Sequence, residues 1–188
     1  MKNRIVHKIL SILKIKFLEV LYLAPNQVTA PLEFDTAILT AERLRELARS
    51  GLLVYGEEDI SRIEKSISIC IAVFDQKKLA GVCWYAIKGY PHTVGYIAHI
   101  HPDYMCGYGL QIMPEYQGRG IHGVLVATAL DWMSSNNKKG LLLAINFDNY
   151  ASRKSAEKIG FRRLGLSFYS AWIKGAAGIR QYYFIDLG

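Results

Sequence analysis

The sequence has no uninterrupted run of about 18 apolar residues, the length that a membrane-spanning helix requires. Its apolar amino-terminal stretch, Met1–Leu23, is broken by Lys14, Lys16 and Glu19, which also removes the uncharged centre of a secretory signal. Cysteine is sparse. Cys70, Cys83 and Cys106 form no CxxC pair, so neither a zinc ribbon nor a dithiol redox motif is indicated. An odd count with no disulfide framework reads as buried thiols in a reducing, cytoplasmic compartment. No acidic cluster demands a polyamine, and there is no internal repeat or low-complexity tract.

What is present is a globular balance. Of 188 residues, 51% are hydrophobic and 21% charged, which suits one domain with a proper core. The net charge of +7 suits a polyanionic partner such as a phosphorylated cofactor, an acidic membrane or nucleic acid. The lysines are spread along the chain instead of forming a stripe with interleaved aromatics, so nucleic acid ranks low. Met1–Leu23 carries Lys2, Arg4, Lys8, Lys14 and Lys16 among Ile and Leu. One reading lays it on an anionic membrane surface. The other, which we prefer, packs it on the domain as a helix and strand with its lysines in water. Residues 1–30 are thus expected to be an extension and 31–188 a single domain.

Thr40 is positioned to cap a helix over Ala41–Arg49 that Ser50-Gly51 ends, and a second helical stretch runs from Glu57 to Ser66. Alternation from Ile67 to Val73, a polar turn at Asp75–Lys78, and Leu79–Ile87 predict a hairpin. Lys88–Asp103 reads as an irregular excursion with a short strand near Tyr96–Ile100. Met105–Met113 is a strand interrupted by Gly107 and Gly109, where a bulge or a close approach is expected. A helix over Gly120–Ser134 with Ile121, Leu125, Ala129 and Trp132 on one stripe follows, then strand Leu141–Phe147 and helix Asn149–Ile159. Phe161–Ser170 and Arg180–Leu187 read as a final strand pair. The fold class is mixed α/β, six to seven strands with one parallel βαβ unit at the centre.

The chemistry is concentrated in Leu110-Gln-Ile-Met-Pro-Glu-Tyr-Gln-Gly-Arg-Gly-Ile-His-Gly123, a strand, a glycine-rich turn and a helix start. The first turn of a helix carries unpaired N–H groups and partial positive charge, and glycines let the backbone approach a phosphate. With Arg119 beside them, these features make a pyrophosphate site. Gly118-x-Gly120-x-x-Gly123 also matches the dinucleotide fingerprint, and Asp148 could pose as its ribose-binding acid. Only one helix and a strand pair are predicted after Asp148, too little for a nicotinamide-binding fold, so an oxidoreductase is a distant alternative.

Gln117-Gly-Arg-Gly-Ile-His122 resembles the (Gln/Arg)-x-x-Gly-x-(Gly/Ala) signature of the GNAT superfamily of N-acyltransferases. Downstream, Asn149-x-x-Ser152 and Glu157-Lys-Ile-Gly-Phe161 are similar to that family's second recurring element. The resemblance implies acetyl-CoA (or another acyl-CoA) as cosubstrate, no metal, and transfer of the acyl group to a small-molecule or peptide amine. It implies that Leu110, Gln111 and Ile112 pair with the pantetheine arm. The N–H groups of Gly118, Arg119, Gly120, Ile121, His122 and Gly123, after Gln117, would hold the pyrophosphate, with Asn149 and Ser152 beside the arm. His122 departs from the family's Gly or Ala. Ala156 stands where a proton-donating Tyr is frequent, and Ala144 where some members carry a basic Glu. These last two departures motivate an alternative, a CoA-binding sensor without turnover.

Candidate proton-transfer residues are Tyr108 on the central strand and His101, with His99 and Asp103 near it. His99 and His101 share a face at a spacing of two. The His99–His101–Asp103 group also reads as a metal trio or as an exposed loop. Tyr85, Tyr90, Tyr96 and Tyr104 are candidate walls for the acceptor, or core.

Overall fold

The computed structural model describes residues 15–23, 28, 33–53, 56–88 and 101–170. Seven strands form one sheet: β1 (Ile15–Leu23), β2 (Asp35–Ile38), β3 (Ser68–Asp75), β4 (Lys78–Ala86), β5 (Tyr104–Ile112), β6 (Gly140–Asn146) and β7 (Arg162–Ser170). The helices are α1 (Ala41–Arg49), α2 (Glu57–Glu64), α3 (Ile121–Ser135) and α4 (Tyr150–Ile159). The spatial order is β2-β3-β4-β5-β6-β1-β7. Every neighbouring pair is antiparallel except β5 and β6, the two strands that α3 connects.

Local chemistry accounts for most of these elements. The Thr40 side chain accepts the Arg43 N–H at 3.3 Å and starts α1, whose Leu44 and Leu47 share the buried face. The β3–β4 hairpin turns at Gln76-Lys77. From Leu79 to Ala86 every residue of β4 is buried, as expected of a central strand covered on both faces. Ile121, Leu125, Ala129 and Met133 put the apolar side of α3 on the sheet, and the buried Tyr85 hydroxyl donates to Leu125 O at 3.1 Å. Trp132, assigned to that stripe from the sequence, is only partly buried.

The amino-terminal segment, read as a helix and strand packed on the domain, supplies a strand. Ile15–Leu23, read as part of an extension, lies inside the sheet between β6 and β7 and pairs with both. The expected strands Tyr96–Ile100 and Arg180–Leu187 fall outside the described residues. Cys70, Cys83 and Cys106 are buried thiols. No helix among the described residues is long and apolar enough to cross a membrane.

Gly107 is the last β5 residue paired with β6. A Cβ built there would stand 2.6 Å from Leu143 Cδ2. Gly107→Ala is expected to push Leu143 aside at a cost of about 1 kcal/mol, the low end for overpacking because only a side-chain end must move. A lower urea midpoint at unchanged m-value is the readout.

Candidate active site

The site begins where β5 and β6 part. Their parallel ladder runs from Tyr104↔Gly140 to Gly107↔Leu143 and stops. Beyond that point β5 stays paired with β4, and Ala144–Asn146 stay paired with β1. The inner backbone edges of Tyr108–Ile112 and Ala144–Asn146 therefore face each other without a ladder. A cavity of about 300 Å³ occupies the gap. Gly107–Leu110 and Leu143–Asn146 form its two walls, and Cys83, His122, Asn149 and Ser152 complete it.

A bulge causes the parting. The β4–β5 register shifts between Val82 and Trp84, so Cys83 opposes both Gly109 and Leu110. Gly109 has φ +63°, the left-handed conformation that a glycine bulge uses. Of Gly107 and Gly109, where a bulge or a close approach is expected, Gly109 marks the bulge.

The loop after β5 is braced from the β3–β4 side. Met113 N–H donates to Ala80 O at 3.0 Å, and Lys78 pairs with Glu115 at 3.1 Å. Gly118 and Gly120 both have positive φ (+79° and +80°), and Gly120 is the N-cap of α3. The N–H groups of Ile121, His122 and Gly123 belong to the first turn and have no intrahelical acceptor. Together with the helix dipole they form an anion-binding end. The Arg119 guanidinium, expected to add charge there, is turned back. It lies 3.6 Å from Asp75 and 3.4 Å from Glu33, over the rings of Phe34 and Tyr116 at 5.1 and 5.2 Å. It braces the loop, so the positive potential of the site rests chiefly on backbone N–H groups.

Of the other expected residues, Leu110, Asn149 and Ser152 line the cleft. Asn149 Oδ1 accepts the Ser152 N–H at 3.1 Å and thereby caps α4. Gln111 and Ile112 continue β5 past the bulge; the Gln111 side chain donates to Leu52 O at 2.8 Å and ties β5 to the α1–α2 connection. Gln117 N–H closes a tight turn onto Pro114 O. Tyr108 also borders the cleft. Its hydroxyl donates to Ser68 Oγ at 3.2 Å, and burial pushes its pKa up to about 12.

His101 is not brought to the cleft. It is 66% exposed in the turn before β5, beside Asp103, while the cleft opens on the far half of the strand. Tyr104 to Gly107, the first β5 residue of its wall, spans about 10 Å at the rise of a strand. Asp103 pairs with Lys139 Nζ at 2.6 Å, which holds its carboxyl below the usual range. His99, Tyr90 and Tyr96 lie outside the described residues. Tyr85 is core and Tyr104 packs edge-on against Tyr22.

The loop motif predicts the His122 N–H at the site; its side chain in the cleft is a finding of the structure. The imidazole is 6% exposed, and its Nδ1 is 2.8 Å from Ser155 Oγ on α4. Burial lowers its pKa to about 4. The unfolded chain therefore binds a proton near pH 6.5 that the folded one refuses until about pH 4. This contribution to stability is intact above pH 6.5 and is lost on acidification, at up to about 1.4 kcal/mol per pH unit within that window. His122→Asn should flatten the fall of unfolding free energy between pH 6.5 and 4; an unchanged slope would contradict the assignment.

The parallel pair of the sheet thus splays beside a glycine-rich helix start. Residues 38–161 match the model of the Acetyltransferase (GNAT) family, and the chain belongs to that family. No curated protein matches the sequence. The fold is shared with a functionally unknown conserved protein from Staphylococcus epidermidis at TM-score 0.57 and 10% identity, covering 87% of this chain and 65% of that one. It is also shared with a putative GNAT acetyltransferase from Novosphingobium aromaticivorans at TM-score 0.54 and 16% identity, covering 82% of this chain and 62% of that one. A third is the aminoglycoside N-acetyltransferase AAC(6')-Iy, solved with the bisubstrate analogue CoA-S-monomethyl-acetylneamine, at TM-score 0.53 and 15% identity, covering 69% of this chain and 90% of that one. The chain thus spans a little under two thirds of the length of the first two.

Proposed function

We propose that this chain transfers an acetyl group from acetyl-CoA to the primary amine of a small molecule or peptide. The observation that carries the reading is the stopped β5–β6 ladder, which leaves two unpaired strand edges opening beside the anion-binding end of α3. An extended chain bearing amides can pair with such an edge as an added strand would. A pyrophosphate at its far end meets the N–H groups of Gly118 and Gly120–Gly123, the Arg119 N–H being held by Tyr116 O at 3.3 Å. The thioester supplies an activated acyl group.

This chain's own residues then have three tasks. The β5 edge at Leu110–Ile112 and the pair Asn149–Ser152 hold the arm in line, so that much of the acceleration comes from orientation. A backbone N–H of Leu110 or Ile112 polarises the acyl carbonyl. Tyr108, which keeps its proton at neutral pH, donates it to the departing thiolate, and the proton that the amine nitrogen loses on forming the amide restores the phenol. Support for a small-molecule acceptor comes from AAC(6')-Iy, a fold relative solved with an acetylneamine analogue. Buried reduced thiols fit a cytoplasmic site of action.

The test is release of free thiol from acetyl-CoA in the presence of a panel of primary amines. Amine-dependent release supports the proposal. Binding of acetyl-CoA with no release across amino sugars, aminoglycosides and peptides would overturn the transferase reading and leave a CoA-binding module.

A further inference from the structure

We propose that the His122 side chain, oriented by Ser155, is a hydrogen-bonding residue for the uncharged, amide-bearing arm of the acyl carrier: it is nearly fully buried, borders the cleft, and has a protein partner on one ring nitrogen only. The inference rests on the acetyl-CoA reading above and adds the His122 side chain to Asn149 and Ser152 beside the arm.

Buried polar groups are normally satisfied, and a buried imidazole has two to satisfy. Nδ1 meets Ser155 Oγ at 2.8 Å. Among the described residues Nε2 has no hydrogen-bond partner, yet it is not one of the side-chain nitrogens sealed from solvent without one. It is therefore reached by solvent, on a residue that lines the cleft. The ring is neutral at pH 7, so it offers one donor and one acceptor. When Ser155 donates to Nδ1, Nε2 carries the proton and donates; when Ser155 accepts, Nε2 accepts. A secondary amide serves either arrangement, because it presents both N–H and C=O.

The surroundings select this kind of ligand. Among the described residues none that lines the cavity is Asp, Glu, Lys or Arg. Ala144, Ile145 and Leu110 are apolar, and Asn149 and Ser152 are neutral. A phosphate in such a space would lose its water without gaining a cation. Phosphates belong on the loop, and the cleft takes the neutral chain.

The test uses three ligands on the whole protein: acetyl-CoA, 3',5'-ADP (phosphates without the arm) and S-acetylpantetheine (the arm without phosphates). Dissociation constants are measured by calorimetry for wild type, His122→Ala, His122→Gln and Ser155→Ala, with thermal midpoints beside them. His122→Ala should weaken acetyl-CoA and S-acetylpantetheine roughly five- to tenfold and leave 3',5'-ADP unchanged. Gln, whose amide reaches the place of Nε2, should restore most of the affinity, and Ser155→Ala should lose part of it. Equal acetyl-CoA affinity in wild type and His122→Ala would overturn the inference alone. An equal loss for 3',5'-ADP would also overturn it, by placing the effect at the phosphates or the fold. Wild type that binds none of the three would instead remove the acetyl-CoA reading itself.

Discussion

Gly123→Glu is expected to weaken acetyl-CoA binding at least about 100-fold in a protein as stable as wild type or more so. Gly123 is the third residue of α3, and a Cβ there meets nothing within 4 Å. Replacing a helical glycine gains roughly 0.5–1 kcal/mol, and an acid in the first turn adds about 0.3–1 kcal/mol against the dipole. Its carboxylate can reach back to the N-cap N–H of Gly120, as in a capping box. The features that stabilise the helix would thus remove the site, because the carboxylate occupies the donors that a pyrophosphate needs and repels its charge. Gly120 is a poorer probe, since its φ of +80° makes any side chain strained. Calorimetric titration with a melting curve on the same sample reads both effects. A folded Gly123→Glu protein that binds acetyl-CoA normally would refute the placement of the phosphates.

Tyr108→Phe should lower kcat about 100-fold for the best amine found, with KM for acetyl-CoA within about twofold of wild type. Tyr108 is the titratable residue of the central strand that borders the cleft, and burial keeps its phenol protonated. Loss of its bond to Ser68 should cost about 1 kcal/mol of stability. Ser68→Ala separates the two roles: it removes the same bond and leaves the phenol, so kcat should stay near wild type. A Tyr108→Phe enzyme turning over within a few-fold of wild type would show that orientation alone carries the reaction and that Tyr108 is structural.

Features set by neighbours in sequence were legible before the structure. Thr40 caps its helix, Gly109 marks the bulge, and the Gln117–Gly123 loop stands at a strand-to-helix junction. Features set by distant partners were not. Ile15–Leu23 reads ambiguously because Lys16 and Glu19 break its pattern, and only its pairing with β6 and β7 makes it an interior strand. The spacing of His99 and His101 indicates a shared face but not a position along β5, and His101 falls at the wrong end. Arg119 looked like a phosphate ligand because nothing local reveals Glu33 and Asp75 beside it. The His122 side chain reaches the cleft through Ser155, a contact between two helices that no spacing predicts.

The most direct measurement is the thermal midpoint of the wild-type protein with acetyl-CoA, with NAD as the control. A ligand bound only to the folded state at about 100 times its dissociation constant adds about 2.7 kcal/mol, which for a domain of this size is a rise of roughly 5–10 °C. The cleft and loop predict that rise with acetyl-CoA and none with NAD. No shift at millimolar acetyl-CoA, or an equal shift with NAD, would contradict them.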